Sequence, residues 1–121
     1  MTKEQALHNF WSSFGIPAYN RRTVPEDVTL PHITYESIDG NFGEQNVVSA
    51  IIWDRNTSWN TLNNIRHSIA RWLADEGTIR FDDGLLWIKR ATPFSQPYND
   101  GTDDSIIAYV INVEIEYESE V

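Results

Sequence analysis

Apolar residues recur at helical spacing near the start of the chain and predict a helix over residues 3–14. The face that they form consists of Leu7, Phe10, Trp11 and Phe14. Thr2 followed three residues later by Gln5 is typical of a capping box, in which each residue satisfies a free amide of the other. Gly15 and Pro17 end the pattern, so the helix is short and amphipathic.

A second helical pattern predicts a longer helix over residues 58–75. Its apolar positions are Leu62, Ile65, Ile69, Trp72 and Leu73. Residues 56–58 offer side-chain oxygens for the N-cap, and Gly77 is a suitable C-cap. Between the two helices, residues 16–31 contain three prolines and predict an extended connector, with a short edge strand near Ala18 and Tyr19.

Four segments rich in β-branched and aromatic residues predict two β-hairpins. These strands are expected at residues 32–38 and 45–53, and at 78–81 and 85–89. Residues 39–41 supply the turn of the first hairpin, and the Asp83-Gly84 step is expected to give the second the positive φ angles of a tight turn. Residues 90–104 are rich in Pro, Gly, Asn and Asp and predict a long loop.

Large aliphatic or aromatic side chains occupy every second position from residue 107 to residue 117, and this alternation predicts a long strand over residues 105–119. One face carries Ile107, Tyr109, Ile111, Val113, Ile115 and Tyr117. At about 3.3 Å per residue the strand would be longer than most strands of small domains, so we expect part of it to overhang. The simplest partner for such an overhang is a neighbouring subunit.

Together these elements predict one α+β domain over residues 1–121: an antiparallel β-sheet of four to five strands with two α-helices packed on it. A chain of 121 residues is near the usual size of one domain. The apolar fraction of 40% is enough to fill one core.

The charge balance argues against recognition of nucleic acid. Eighteen acidic residues face nine basic ones, so the net charge of −9 repels phosphate and anionic lipid. The chain has no cysteine, which excludes disulfides, thiolate metal sites and a cysteine nucleophile. We also expect no signal peptide, because the start of the chain lacks a basic segment followed by a continuous apolar stretch. We expect no membrane span, because no apolar run reaches about 18 residues.

Candidate chemistry is sparse, and we predict no catalytic residue, cofactor or metal. The acidic clusters at residues 82–83 and 100–104 lie in predicted turns, where aspartate is favoured for local hydrogen bonding. The three histidines, His8, His32 and His67, lack the spacing of a zinc site. No nucleophile elbow or phosphate-binding glycine loop is present in the sequence.

Candidate contact residues are more numerous than catalytic ones. Lys89 and Arg90, with Arg80, form a basic cluster, which either pairs with acids of its own subunit or meets the acidic last strand of a neighbour. The residues that we predict at subunit or partner interfaces are Trp59, Lys89, Arg90, Phe94, Tyr98, Asp103, Glu114 and Glu116. Such segregation of charge suits head-to-tail packing.

The chain resembles small tail-terminator or neck proteins of long-tailed phages that infect Gram-positive bacteria. The likeness covers residues 83–90, 93–97 and 109–117, and extends to residues 30–35 and 47–53. It is a likeness of pattern and order, and it includes no catalytic signature.

This resemblance implies a virion structural protein, found in the tail or neck and in the host cytoplasm during assembly. Six copies would close into a ring at the head-proximal end of the tail tube, stop its polymerisation and join it to the head. The partners would be the tail-tube protein and the head connector or stopper. DNA would pass through an acidic bore without specific binding.

Three alternatives remain open. A head-completion or connector protein of the neck is also small and ring-forming. An isolated, monomeric ligand-binding module would use the 92–104 loop and exposed aromatic side chains. An enzyme would need a pocket holding a carboxylate of strongly raised pKa.

Overall fold

The chain forms a six-stranded sheet with two helices on one of its faces, in a computed structural model that describes residues 1–37, 45–55, 58–98 and 104–119. The elements are α1 (Lys3–Ser12), β1 (Ala18–Asn20), β2 (His32–Tyr35), β3 (Gln45–Arg55), α2 (Asn60–Asp75), β4 (Thr78–Phe81), β5 (Gly84–Tyr98) and β6 (Ile106–Ser119). The α+β class and the two helices are therefore confirmed. The predicted turn at residues 39–41 lies outside the described residues.

Local signals set the ends of both helices. The capping box of α1 is present: Gln5 N donates to Thr2 Oγ1 over 3.1 Å, and Thr2 N donates to Gln5 Oε1 over 2.8 Å. Helix α2 begins at Asn60, two residues later than predicted, and its N-cap is Trp59, which supplies no side-chain cap, instead of a residue from 56–58. Ser58 Oγ nevertheless accepts from Asn60 N over 3.1 Å. Gly77 has the positive φ of 75° that a helix C-cap favours.

The prediction of an antiparallel sheet with four to five strands is wrong in two details. The sheet has six strands in the order β1-β2-β3-β6-β5-β4, and β1 pairs parallel to β2. The register joins Ala18 to Ile33 and Asn20 to Tyr35. Residues 21–31 carry the chain back to the end of the sheet where β1 began, so the two strands run in the same direction. The other four pairs are antiparallel.

The predicted loop over residues 90–104 is wrong for its first half, because β5 continues to Tyr98. Strand β4 pairs with β5 only over residues 84–87. Pro93 and Pro97 lie beyond this pairing, so the amide hydrogens that they lack are not needed for hydrogen bonds to β4. On the β6 side the ladder is irregular between Arg90 and Ser95. There Asn112 Nδ2 donates to the Pro93 carbonyl over 3.0 Å, and Ser49 Oγ donates to Asn112 Oδ1 over 2.6 Å.

The long strand β6 forms as predicted, but the predicted overhang does not occur. Strand β3 pairs with it over residues 106–116, and β5 pairs with it over residues 108–111 and 113–119. Both neighbours are long as well, at 11 and 15 residues, so they match its length. Main-chain pairing with a second subunit is therefore not needed along β6.

Alternation along the strands places one apolar face under both helices. The fully buried side chains with the largest volumes are Trp11, Tyr117, Phe10, Leu7, Ile33, Ile52, Leu62, Ile69, Leu86, Ile88, Ile111 and Ile115. They come from both helices and from strands β2, β3, β5 and β6, which ties every layer to one core.

Gly84 allows β5 to begin close to β6, for a reason that differs from the prediction. Neither it nor Asp82 or Asp83 has a positive φ. Instead, a Cβ at Gly84 would lie 1.9 Å from the Glu118 carbonyl oxygen, so any side chain there would force the two strands apart. Close backbone approach, and not turn geometry, requires the glycine.

Candidate functional site

The face of the sheet opposite the helices carries many apolar side chains. Because the strands alternate, residues one step away from the core positions point to this side, and we call it the open face. Its half-buried or exposed apolar and aromatic residues are Tyr19, Val47, Ile51, Trp53, Leu85, Trp87, Tyr98 and Val110. Val47 is 61% exposed; it lies near the start of β3, opposite Glu114 of β6 and beyond the part of β3 that pairs with β2. No helix of the described residues covers this side.

Two aromatic rings mark one end of the open face. Trp53 on β3 and Tyr98 on β5 flank Ala108 of β6, and their rings meet edge to face with centroids 5.7 Å apart. Together they leave Ala108 only 1% exposed, while Tyr98 itself stays 37% exposed. Trp53 Nε1 donates to Thr34 Oγ1 over 3.0 Å, so the indole is held in place by a polar contact as well. The pair forms a partly exposed aromatic surface with one hydrogen-bonded ring.

Carboxylates dominate the other end of the open face. Glu114, Glu116 and Glu118 follow one another on this side of β6, and we call them the acidic row. Lys89 on β5 lies directly across from Glu114, and its Nζ is 5.9 Å from the centre of the Trp87 ring. Trp87 lies across from Glu116, and its Nε1 donates to Glu118 Oε2 over 2.9 Å. Arg80 on β4 lies on the same face, across Leu85 from Glu118, so two cations share this region with three carboxylates.

A cationic groove lies on the helix side of the sheet, between α2 and the second half of β5. It encloses about 430 Å³ and is lined by Arg66, His67, Ala70, Arg71, Arg90, Phe94 and Ser95. Three of the nine basic residues of the chain therefore meet in one concavity. No carboxylate is among its described lining residues.

The guanidinium groups of this groove are held by aromatic and neutral polar groups. Arg90 lies 4.6 Å from the centre of the Phe94 ring, and Arg66 lies 4.8 Å from that of Tyr109. Arg66 Nη1 also donates to Ser95 Oγ over 3.4 Å, and Arg71 Nη2 lies 3.1 Å from His67 Nε2. None of the three arginines forms an ion pair with another residue of the described ranges. Stacking on rings orients a guanidinium but leaves its charge uncompensated.

The predicted contact residues fall into separate places. Lys89, Glu114 and Glu116 come together on the open face, and Tyr98 joins Trp53 there. Arg90 and Phe94 line the cationic groove on the opposite side. The predicted Lys89-Arg90 strip is therefore wrong as one surface, because consecutive residues of a strand point to opposite faces.

The remaining predicted contacts have different outcomes. Trp59 is 39% exposed and contacts the Tyr109 ring edge to face, with centroids 5.2 Å apart. It lies immediately before α2 and borders a shallow pocket with Pro97 and Tyr98. Asp103 lies outside the described residues.

Arg66, His67 and Arg71 were not predicted as a site. Their signal in the sequence is weak, because four-residue spacing places His67 and Arg71 on one side of α2 but does not say what that side faces. Only the packing of α2 beside β5 brings them to Arg90.

The described residues hold no group of three or more His, Asp or Glu side chains with the arrangement of a metal site. Burial raises the pKa of the Tyr35 hydroxyl above its ordinary value of 10.0. That hydroxyl contacts His8 Nδ1 over 2.9 Å beneath α1, away from both charged surfaces. Neither α1 nor α2, the described helices, is long and apolar enough to cross a membrane.

Comparison of the sequence with protein-family models and with curated proteins gave no match.

Proposed function

We propose that the protein is a structural subunit of a phage tail or neck, a tail terminator that works by closing into a ring of six copies. The observation that carries this proposal is the open face, where exposed Val47 and half-buried Ile51 and Val110 lie among polar residues. Antiparallel sheets with one wet face usually place polar residues there. Ile51 and Val110 lie opposite each other and beside the paired rings of Trp53 and Tyr98, and an apolar patch with a polar border is instead typical of a protein contact.

The shape of the molecule supports packing between unlike surfaces. The open face lies on one side of the sheet, and the helices lie on the other. When the open face of one copy packs on the helix side of the next, the contact is heterologous, and repetition of such a contact closes a ring if the rotation allows. The tail-terminator role itself comes from the resemblance of the sequence pattern, which includes strands β5 and β6.

Native mass measured over a range of protein concentrations tests ring formation, and negative-stain images show whether a large species is closed. We expect a species of six times the 14.0 kDa subunit mass, either free or on the end of the cognate tail tube. A monomer that also fails to bind tube ends would contradict the proposal.

A variant of the open face tests which surface drives assembly. Val47→Ser with Ile51→Ser should lower ring formation at least about tenfold, because both side chains would lose apolar contact area with the neighbour. Val24→Ser with Val28→Ser, at two half-buried valines in the connector, is the matched control and should assemble normally. Equal assembly of the two variants would show that the open face is not the contact.

A further inference from the structure

We propose that the cationic groove of one subunit receives the acidic row of the next, so that Arg66, Arg71 and Arg90 bind carboxylates of a second copy of this chain. The inference rests on the ring proposed above and names the two surfaces that meet in it. The chain has a net charge of −9, yet three of its nine basic residues lie together in one groove.

The groove is built to present charge. Two of its guanidinium groups are stacked on Phe94 and Tyr109, and Arg71 contacts only the His67 imidazole among the polar contacts described for it. Stacked guanidinium groups keep N–H donors free at their edges, in the planar geometry that matches a carboxylate. Like charges brought this close repel one another, so an anion that enters the groove removes an unfavourable interaction as well as forming a favourable one.

The acidic row supplies anions of suitable spacing. Glu114, Glu116 and Glu118 alternate along β6, so their Cα atoms are about 6.7 Å apart along an extended and rigid strand. Within its own subunit the row shares the open face with two cations, Lys89 opposite Glu114 and Arg80 on β4, across Leu85 from Glu118, so the three carboxylates still outnumber the cations. Three carboxylates in a line match three arginines in a groove, and both surfaces exist before contact.

The position of the two surfaces determines the kind of assembly. The groove lies on the helix side of the sheet and the acidic row lies on the open face, so one subunit cannot join them to each other. A two-fold dimer needs one self-complementary surface, whereas two complementary surfaces on opposite sides favour head-to-tail contacts.

Nucleic acid fits the groove less well. Duplex DNA presents about one charge per 1.7 Å of axis and calls for a long basic footprint. The groove is short, and the rest of the chain carries twelve more acidic than basic residues, because removal of three arginines from −9 leaves −12. The experiment must therefore distinguish binding of DNA in the groove from binding of a second subunit.

Charge reversal followed by mixing tests the proposal. The groove variant carries Arg71→Glu and Arg90→Glu, which are both exposed positions, and the row variant carries Glu114→Arg and Glu116→Arg. Each variant alone should assemble at least about tenfold more weakly than the unmodified chain, because like charges would face each other at every contact. An equimolar mixture should recover rings, since each variant then meets an oppositely charged neighbour. An even-numbered ring such as a hexamer accommodates this alternation.

Two controls keep the result interpretable. Arg21→Glu with Arg22→Glu changes the net charge by the same amount on the exposed connector and should leave assembly unchanged. Arg71→Gln with Arg90→Gln removes charge without adding any, so it should weaken assembly even if the reversed variant folds poorly. Melting temperature and circular dichroism report folding for each variant.

The outcomes are distinct. Normal rings from the groove variant, or no recovery on mixing, would overturn the inference and leave the proposed function standing. An unmodified chain that stays monomeric with and without tail tubes would overturn both. If a short DNA duplex binds the unmodified chain and not the groove variant, while ring formation is the same in both, the occupant is nucleic acid and the inference is wrong.

Discussion

The two faces of strand β6 differ in what covers them, although both contain apolar residues. On the covered face Ile111, Val113 and Ile115 are fully buried beneath the helices. On the open face Val110 is half-buried and shares the surface with Asn112 and the acidic row. Hydrophobic identity alone therefore does not predict burial in this chain. What decides it is whether an element of the same chain lies above the residue, and none of the described elements lies above the open face.

Truncation of a residue on each face should give the largest difference. Ile111→Ala should lower the free energy of unfolding by about 2–5 kcal/mol, because it leaves a cavity beneath the helices. Val110→Ala, one position earlier and on the open face, should cost less than about 1 kcal/mol. Chemical denaturation of both variants checks this. Equal losses would mean that the open face is packed as tightly as the core.

The irregular segment of β5 offers the next largest effect. Asn112→Ala removes the contacts of its side chain with Ser49 and Pro93, where the main-chain ladder is interrupted. We expect a loss of about 1–3 kcal/mol in the free energy of unfolding and faster amide exchange around residues 91–95. Asn63→Ala on helix α2 is the control for loss of a half-buried amide. An unchanged exchange pattern would show that the backbone alone maintains the irregular segment.

On the covered face, Tyr35→Phe separates a polar contact from burial. Loss of the contact with His8 should cost about 1 kcal/mol near neutral pH. Burial raises the Tyr35 pKa above 10.0, so the stability that it contributes is fully present below that pH and is lost as the pH rises through the folded-state pKa. The unmodified chain should therefore lose stability more steeply than the variant above about pH 10. Parallel melting curves in that range would contradict the shift.

The smallest effect is expected at Lys89 on the open face. Lys89→Glu places a like charge across from Glu114, yet the position is exposed, so stability should change by less than about 1 kcal/mol. Ring assembly should change less than in Arg90→Glu, because Lys89 does not line the groove. Comparison of the two single variants by melting and by native mass checks this. A larger assembly defect at Lys89 than at Arg90 would mean that the cationic groove is not the main charged surface of the contact.

Much of the fold follows from short-range patterns. The Thr2 capping box, Gly77 and the alternation of residues 105–119 each predict an element that forms. The parallel pairing of β1 depends on the path of the connector, which no local pattern encodes. The second half of β5 was missed because proline usually indicates a loop, and its tolerance at an edge depends on how far β4 extends.

The sequence predicts the candidate site less well than the fold, because the site depends on contacts between distant parts of the chain. Lys89 and Arg90 are adjacent in the sequence, but strand geometry sends them to opposite faces. Arg90 instead joins Arg66 and Arg71, more than a dozen residues away, through the packing of α2 beside β5. Proximity in sequence predicted the wrong partners because the site is made by tertiary contacts.

Sedimentation of the unmodified chain over a wide concentration range, alone and with cognate tail tubes, tests the central claim most directly. Head-to-tail ring assembly predicts a closed species of six 14.0 kDa subunits, in solution or at tube ends, with no stable dimer on the way. A chain that sediments as a monomer in every condition, or that stops at a two-fold dimer, would contradict the account.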